Sequence, residues 1–183
     1  MSRTRKKPST SAARKSGKIR NMVKKTKAQA ERDPSRIWTR PGFLIRRLHQ
    51  IHCALFFEEC SASTITPLQS GMLTVLTEHP DGVGIRELAF QLGTDHSTTA
   101  DVARRLASRG YIKQHIPKTD RRKIVSQITN EGYAFLKLNE PSMQKSQDIL
   151  LQPLTSKQRT ALMSALRTLV YHYNDKGRAK LQL

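Results

Sequence analysis

The side chains best placed to do chemistry in this chain are hydrogen-bonding and cationic groups gathered on one short stretch, His96 to Arg109, with the sequence HSTTADVARRLASR. Thr98, Asp101 and Arg105 recur at three- and four-residue steps and so share one side of a helix, with Ser97, Arg104 and Ser108 flanking them. Small hydroxyl side chains near the start of a helix allow close approach to base edges, and arginines further along reach guanine edges or phosphates. A basic loop follows at 117–123, carrying Lys118, Asp120, Arg121 and Arg122. From Arg104 to Lys123 there are eight Lys/Arg against one acid, Asp120. This is the equipment for reading a duplex polyanion. No glycine-rich phosphate loop, nucleophile motif or cleft-like pair of carboxylates accompanies it, which argues against an enzyme and calls for no cofactor. His49 and His52, three residues apart with no acidic ligand nearby, are an incomplete metal set, and Cys53 and Cys60 form no zinc pattern.

The elements that must position these groups follow from periodicity and punctuation. Ile85, Leu88, Ala89 and Leu92 stand at i, i+3, i+4 and i+7 and predict a helix that stops at Gly93. Thr94 or Asp95 can cap a second helix reaching about Arg109, burying Thr99, Val102, Ala103 and Leu106. Helix, glycine turn and capped helix make a helix-turn-helix, whose second helix enters the major groove. Residues 111–116 and 124–128 read as two strands of a wing joined by the basic loop. The expected fold is therefore mainly α with a small β-wing.

Flanking helices supply the frame. Pro41–Glu59 carries an apolar stripe centred on Leu44, Leu48, Ile51 and Leu55. His52 falls inside the stripe, and His49 at its edge beside Phe56. Thr66 caps a helix from Pro67 that ends before the turn Pro80-Asp81-Gly82. Thr129 or Asn130 caps another, which Pro141 either kinks or divides. A last helix starts at the capping sequence Thr155-Ser156-Lys157-Gln158 and buries Leu162, Leu166, Leu169, Val170 and Tyr173. The terminal helices hold more apolar surface than one winged domain needs, so an obligate homodimer is expected.

The chain has 183 residues and a net charge of +19, and residues 1–40 contribute fourteen Lys/Arg against Glu31 and Asp33. Such an imbalance points to a polyanionic partner. Residues 1–38 read as a disordered basic tail, either an arm that adds non-specific DNA affinity or a solvated segment without a defined role. No apolar run suits a bilayer and no signal peptide is evident, so a cytoplasmic, nucleoid-associated protein is expected.

The runs LAFQLGTDHSTTADVARRLASRGYI and TDRRKIVSQITNEG resemble the MarR family of winged-helix regulators. The matching pieces are Leu88-Ala89, Ser97-Thr98, Arg105-Leu106, Gly110-Tyr111-Ile112, Asp120-x-Arg122, Thr129-x-x-Gly132 and the helix start Thr66-Pro67-Leu68-Gln69. Thr99-Ala100 departs from the common Val-Thr of that family. The resemblance implies a winged-helix domain over 39–183, with DNA binding in 62–130 and dimerisation through 41–60 and 131–175. It implies an inverted-repeat operator read by Ser97, Thr98, Asp101, Arg104 and Arg105, with Lys118, Asp120, Arg121 and Arg122 on the wing. An effector pocket is expected beside the first helix, at His49, His52 and Phe56. An imidazole there either satisfies a structural partner or donates to a small anionic ring compound. The phrase RPGFLIRRLHQIHCALF is similar to the first helix of members controlling degradation of aromatic or heteroaromatic acids, nicotinate among them. The resulting expectation is a repressor released by such an acid. Alternatives are a thiol redox sensor using Cys53 or Cys60, and an effector-independent architectural DNA binder.

Overall fold

The computed structural model describes residues 37–117 and 123–177. Almost all of the basic tail and the wing-tip residues Lys118, Asp120, Arg121 and Arg122 therefore lie outside the described residues. Among the described residues, six α-helices and three strands follow in the order α1 (Pro41–Glu59), α2 (Pro67–Thr77), β1 (Val83–Gly84), α3 (Ile85–Leu92), α4 (His96–Ser108), β2 (Ile112–His115), β3 (Val125–Ile128), α5 (Asn130–Leu151) and α6 (Ser156–Tyr173). A 3₁₀ turn, Asn174–Lys176, follows α6. The fold is mainly helical with one small antiparallel sheet, ordered β1-β3-β2, as the pattern of the sequence implies.

The chain divides within α1 into two compact units, one ending at His49 and one beginning at Gln50. In the first, the Trp38 and Phe43 rings meet edge to face at 5.3 Å. The Arg40 carbonyl accepts from the Phe43 and Leu44 amides and starts the helix, with Pro41 supplying a pre-set φ at its first position. Leu44, Ile45 and Leu48 are exposed.

The second unit holds the core. Phe56, Ile65, Met72, Leu73, Leu76, Leu88, Leu106 and Ile112 bring α1, α2, α3, α4 and β2 into one apolar cluster. Local chemistry fixes the helices that meet there. Thr66 Oγ1 accepts from the Gln69 amide while Gln69 Oε1 accepts from the Thr66 amide, so Gln69 completes a capping box. Gly93 ends α3 in the left-handed region at φ 63°, which a side-chain-bearing residue adopts only with strain. Asp95 then caps α4.

Several expectations need correction. β1 was not foreseen: Val83 and Gly84 pair with Ser126 and Val125 and add a third strand to the wing. Pro141 does not divide the chain, because α5 runs unbroken through it. The lost backbone bond, about 3 kcal/mol in a helix interior, is absorbed by a helix capped at Thr129 and packed on the core through Phe135, Leu136 and Met143. Val102 is half-buried, not buried. The stripe of α1 is largely uncovered, with Ile51 exposed alongside Leu44 and Leu48 and only Phe56 buried. α6 has the expected capping box but buries no residue. Leu169, Val170 and Tyr173 are exposed, because nothing among the described residues covers that face.

Candidate nucleic-acid interface and ligand cavity

The start of α4 is built by a single carboxylate. Asp95 Oδ1 accepts from the Thr98 amide at 2.8 Å and from the Ser97 hydroxyl at 2.6 Å, and Oδ2 accepts from the Thr98 hydroxyl at 2.8 Å. The Ser97 hydroxyl first, then the amide and hydroxyl of Thr98, hold this carboxyl far below the ordinary carboxylate range. A depressed carboxyl contributes stability above its unfolded value that is lost as pH falls toward the folded one. The cap is thus ionised throughout the neutral range. Both hydroxyl protons are committed to Asp95, so toward a duplex Ser97 and Thr98 present their oxygens as acceptors, suited to exocyclic amino groups of bases.

Thr99, fully buried, donates to the Asp95 carbonyl at 2.8 Å and lies 2.7 Å from Thr94 Oγ1. Its hydroxyl is spent inside the turn, which accounts for a threonine where the family commonly has valine. Asp101, Arg104 and Arg105 are exposed along the outer surface of α4. Arg104 pairs with Asp101 at 2.9 Å, both well exposed. Such a pair adds little stability but directs the guanidinium along the helix. The structure thus brings Ser97, Thr98, Asp101, Arg104 and Arg105 onto one element, while the wing-tip set lies outside the described residues.

Arg109 was missed as a positioning residue. From the end of α4 its guanidinium donates to the Ser63 carbonyl at 3.0 Å and to the carbonyl and hydroxyl of Thr64 at 3.3 Å. It lies over the Tyr111 ring at 4.9 Å, and Tyr111 stacks on Phe135 at 4.3 Å. One side chain therefore ties the recognition helix to the α1–α2 loop and, through two rings, to α5. Arg109→Ala is expected to lower stability by about 2 kcal/mol, from charged hydrogen bonds and a cation–π contact together. Arg109→Lys should recover only part of it, lacking the planar fork. Urea unfolding measures both, and an unchanged midpoint for the alanine variant would contradict this role. The Thr129-x-x-Gly132 motif is a second clamp. Thr129 Oγ1 donates to the Gly110 carbonyl at 2.7 Å and accepts from the Gly132 amide at 3.0 Å.

A cavity of about 530 Å³ lies between α1, α2 and α5. His52 and Phe56 enter from α1, Ser70, Gly71 and Thr74 from α2, and Tyr133, Leu136, Lys137, Glu140 and Gln144 from α5. The half-buried His52 ring stands edge-on to Phe56 at 6.3 Å. His49 is exposed one turn earlier on the helix. The α5 contribution was missed, yet Tyr133, Lys137, Glu140, Gln144 and Gln147 recur at helical spacing, a polar stripe that could have revealed it. Lys145 pairs with Glu59 at 2.7 Å and joins the end of α1 to α5 nearby. Burial, then the Glu59 charge, raises the pKa of Cys60, which opposes the thiolate a peroxide sensor needs. Among the described residues no His/Cys/Asp/Glu group suits a metal, and no helix is long and apolar enough to cross a membrane.

A capped recognition helix, a glycine-stopped partner helix and a β-wing define a winged helix-turn-helix DNA-binding protein. The chain belongs to the MarR family of transcription regulators, and so to the DNA-binding regulators, not the enzymes. The model of that family matches residues 63–123. The chain is 30% identical over 131 residues to the protein assigned to regulation of the hcr operon in Thauera aromatica, covering 70% of this chain and 77% of that one. It is 26% identical over 152 residues to the HTH-type transcriptional repressor NicR of Pseudomonas putida, covering 81% of this chain and 96% of NicR. The solved structure of the PcaV transcriptional regulator from Streptomyces coelicolor in complex with its natural ligand superposes with a TM-score of 0.68. It is 26% identical and covers 75% of this chain and 96% of PcaV.

Proposed function

We propose that this regulator is a homodimeric repressor released from an inverted-repeat operator by a small aromatic or heteroaromatic acid. The observation that carries the reading is the cavity between α1, α2 and α5, which joins the helix expected to dimerise to the helices that support α4. Residues 62–130 then bind DNA, and 41–60 and 131–175 dimerise. Ser97, Thr98, Asp101, Arg104 and Arg105 read the major groove. Arg122 reaches the minor groove from the wing, with Asp120 holding the loop and Lys118 and Arg121 adding charge. Recognition helices of a dimer must match successive major grooves about 34 Å apart. A ligand that wedges α1 from α5 changes that spacing. PcaV, solved with its natural ligand, and NicR, a repressor, support this scheme as relatives.

His52 is the residue on which the ligand reading turns, with Phe56 as the apolar wall and His49 as a second candidate imidazole on the same helix. An imidazole can donate to a carboxylate or phenolate close to working pH. His52→Gln is expected to keep affinity for DNA from upstream of the protein's own gene within about threefold, under ~1 kcal/mol. Release by a responsive aromatic acid should then need at least tenfold more acid, ~1.4 kcal/mol. Fluorescence anisotropy with and without the acid, on both proteins, measures the two quantities. An unchanged ligand midpoint would return His52 to a purely structural role.

A further inference from the structure

A helix in a major groove and a wing beside it in the adjoining minor groove are separated by one sugar–phosphate strand. That strand has to cross whatever lies between the two elements. Between α4 and the wing the structure holds a cleft of about 850 Å³. Its walls are the first turn of α3, His96 and Ala100 on one flank of α4, and Lys123, Ile124 and Val125 leading into β3. Arg86, His96 and Lys123 line it. Its one acid, Glu87, accepts from Gln91 Nε2 at 3.2 Å. The Arg86 guanidinium is held over the Phe90 ring, 5.7 Å from its centroid, so its charge is kept at the wall. None of these three basic residues belongs to the face of α4 that carries Ser97, Asp101 and Arg104.

We propose that this cleft is a seat for the DNA backbone, in which Arg86 and Lys123 neutralise phosphates of the strand passing from the major to the minor groove, with the His96 imidazole at its rim. The inference rests on α4 being the groove-binding helix. It adds a charge-based, sequence-independent anchor between the two reading elements. Each phosphate neutralised releases condensed counterions, so the seat has a signature that base contacts lack.

The test measures affinity against salt for the full chain on duplex DNA from upstream of its own gene and on an unrelated duplex. Arg86→Gln and Lys123→Gln should each lower the slope of log affinity against log salt by about 0.9, and together by about twice that. Both duplexes should weaken by the same factor. A folded double variant with the wild-type slope would overturn the seat, as would weakening confined to one duplex. Wild-type protein gives an independent check should the variants fold poorly. Neutral methylphosphonates placed one at a time along the backbone should weaken binding at the crossing strand. Indifference at every such position would equally overturn the proposal. Wild-type protein that binds neither duplex would refute the groove reading itself, an outcome distinct from failure of the seat alone.

Discussion

Gly132→Ala is expected to destabilise the domain by at least about 3 kcal/mol, at or above the upper end of overpacking costs. A Cβ there would stand 2.0 Å from the Tyr111 carbonyl oxygen and 2.9 Å from its carbon. The obstacle is backbone, so no rotamer change relieves it. The N-terminus of α5 would have to lift from the Tyr111 backbone just before β2, breaking the Thr129 cap and loosening the stack of Tyr111 on Phe135. Domains have only about 5–15 kcal/mol of stability in total, so much of the population should unfold on modest warming. Gly71→Ala is the control. Its Cβ would meet Leu92 Cδ2 at 3.6 Å, an ordinary contact, within α2. Removing a mid-helix glycine there should be neutral or stabilise by up to ~1 kcal/mol. Urea midpoints of the two variants at equal protein concentration make the comparison. Equal destabilisation of both would contradict it.

Leu169→Glu should have an effect of similar size by a different route. α6 carries eighteen residues and buries none of them. Leu169 is 48% exposed, and Met163, Val170, Tyr171 and Tyr173 are exposed with it. An apolar face of that extent on a monomer marks an interface. Under the proposed dimer, a two-fold axis places every substitution in the interface twice. Two new carboxylates there should leave monomers at micromolar concentration and weaken operator binding by at least about 100-fold, ~2.7 kcal/mol. Sedimentation and DNA titration on the same sample test it. A variant that stays dimeric and binds DNA normally would place the interface elsewhere.

Much of this architecture is legible in the sequence because the signals are local. The helix-turn-helix announces itself through a four-residue apolar pattern, a glycine where α3 must stop and an aspartate where α4 must start. The Thr66 and Thr155 caps are equally local. What was not legible depends on partners distant in the chain. β1 has two residues, too few for any periodicity, and exists only because β3 comes back beside it. Arg109 reads as one more cation beside Gly110, and nothing in its neighbourhood says that Ser63 and Thr64 receive it. The sequence does not show where the Ser97 and Thr98 hydroxyl protons go; they go to Asp95, because a capping carboxylate competes first for the nearest O–H groups. The apolar residues of α6 have the pattern of a buried helix, but nothing among the described residues covers them. The polar stripe of α5 stands at helical spacing, but the apolar residues of that helix already suffice to explain its packing, so the stripe alone does not point to a cavity.

The placement of β1 also bears on how the protein survives its own concentration. A two-stranded wing would leave β3 with one row of unsatisfied amides and carbonyls, a template onto which a strand of another molecule can add. With β1 on one side and β2 on the other, part of each edge of β3 is already occupied. β2, at the sheet margin, has only four residues, three of them exposed and one of those lysine, and Pro117 lies just beyond it. Short, charged and followed by a residue without an amide hydrogen, it is a poor seed for intermolecular pairing. Two residues of extra strand thus help protect the wing from fibrillar association.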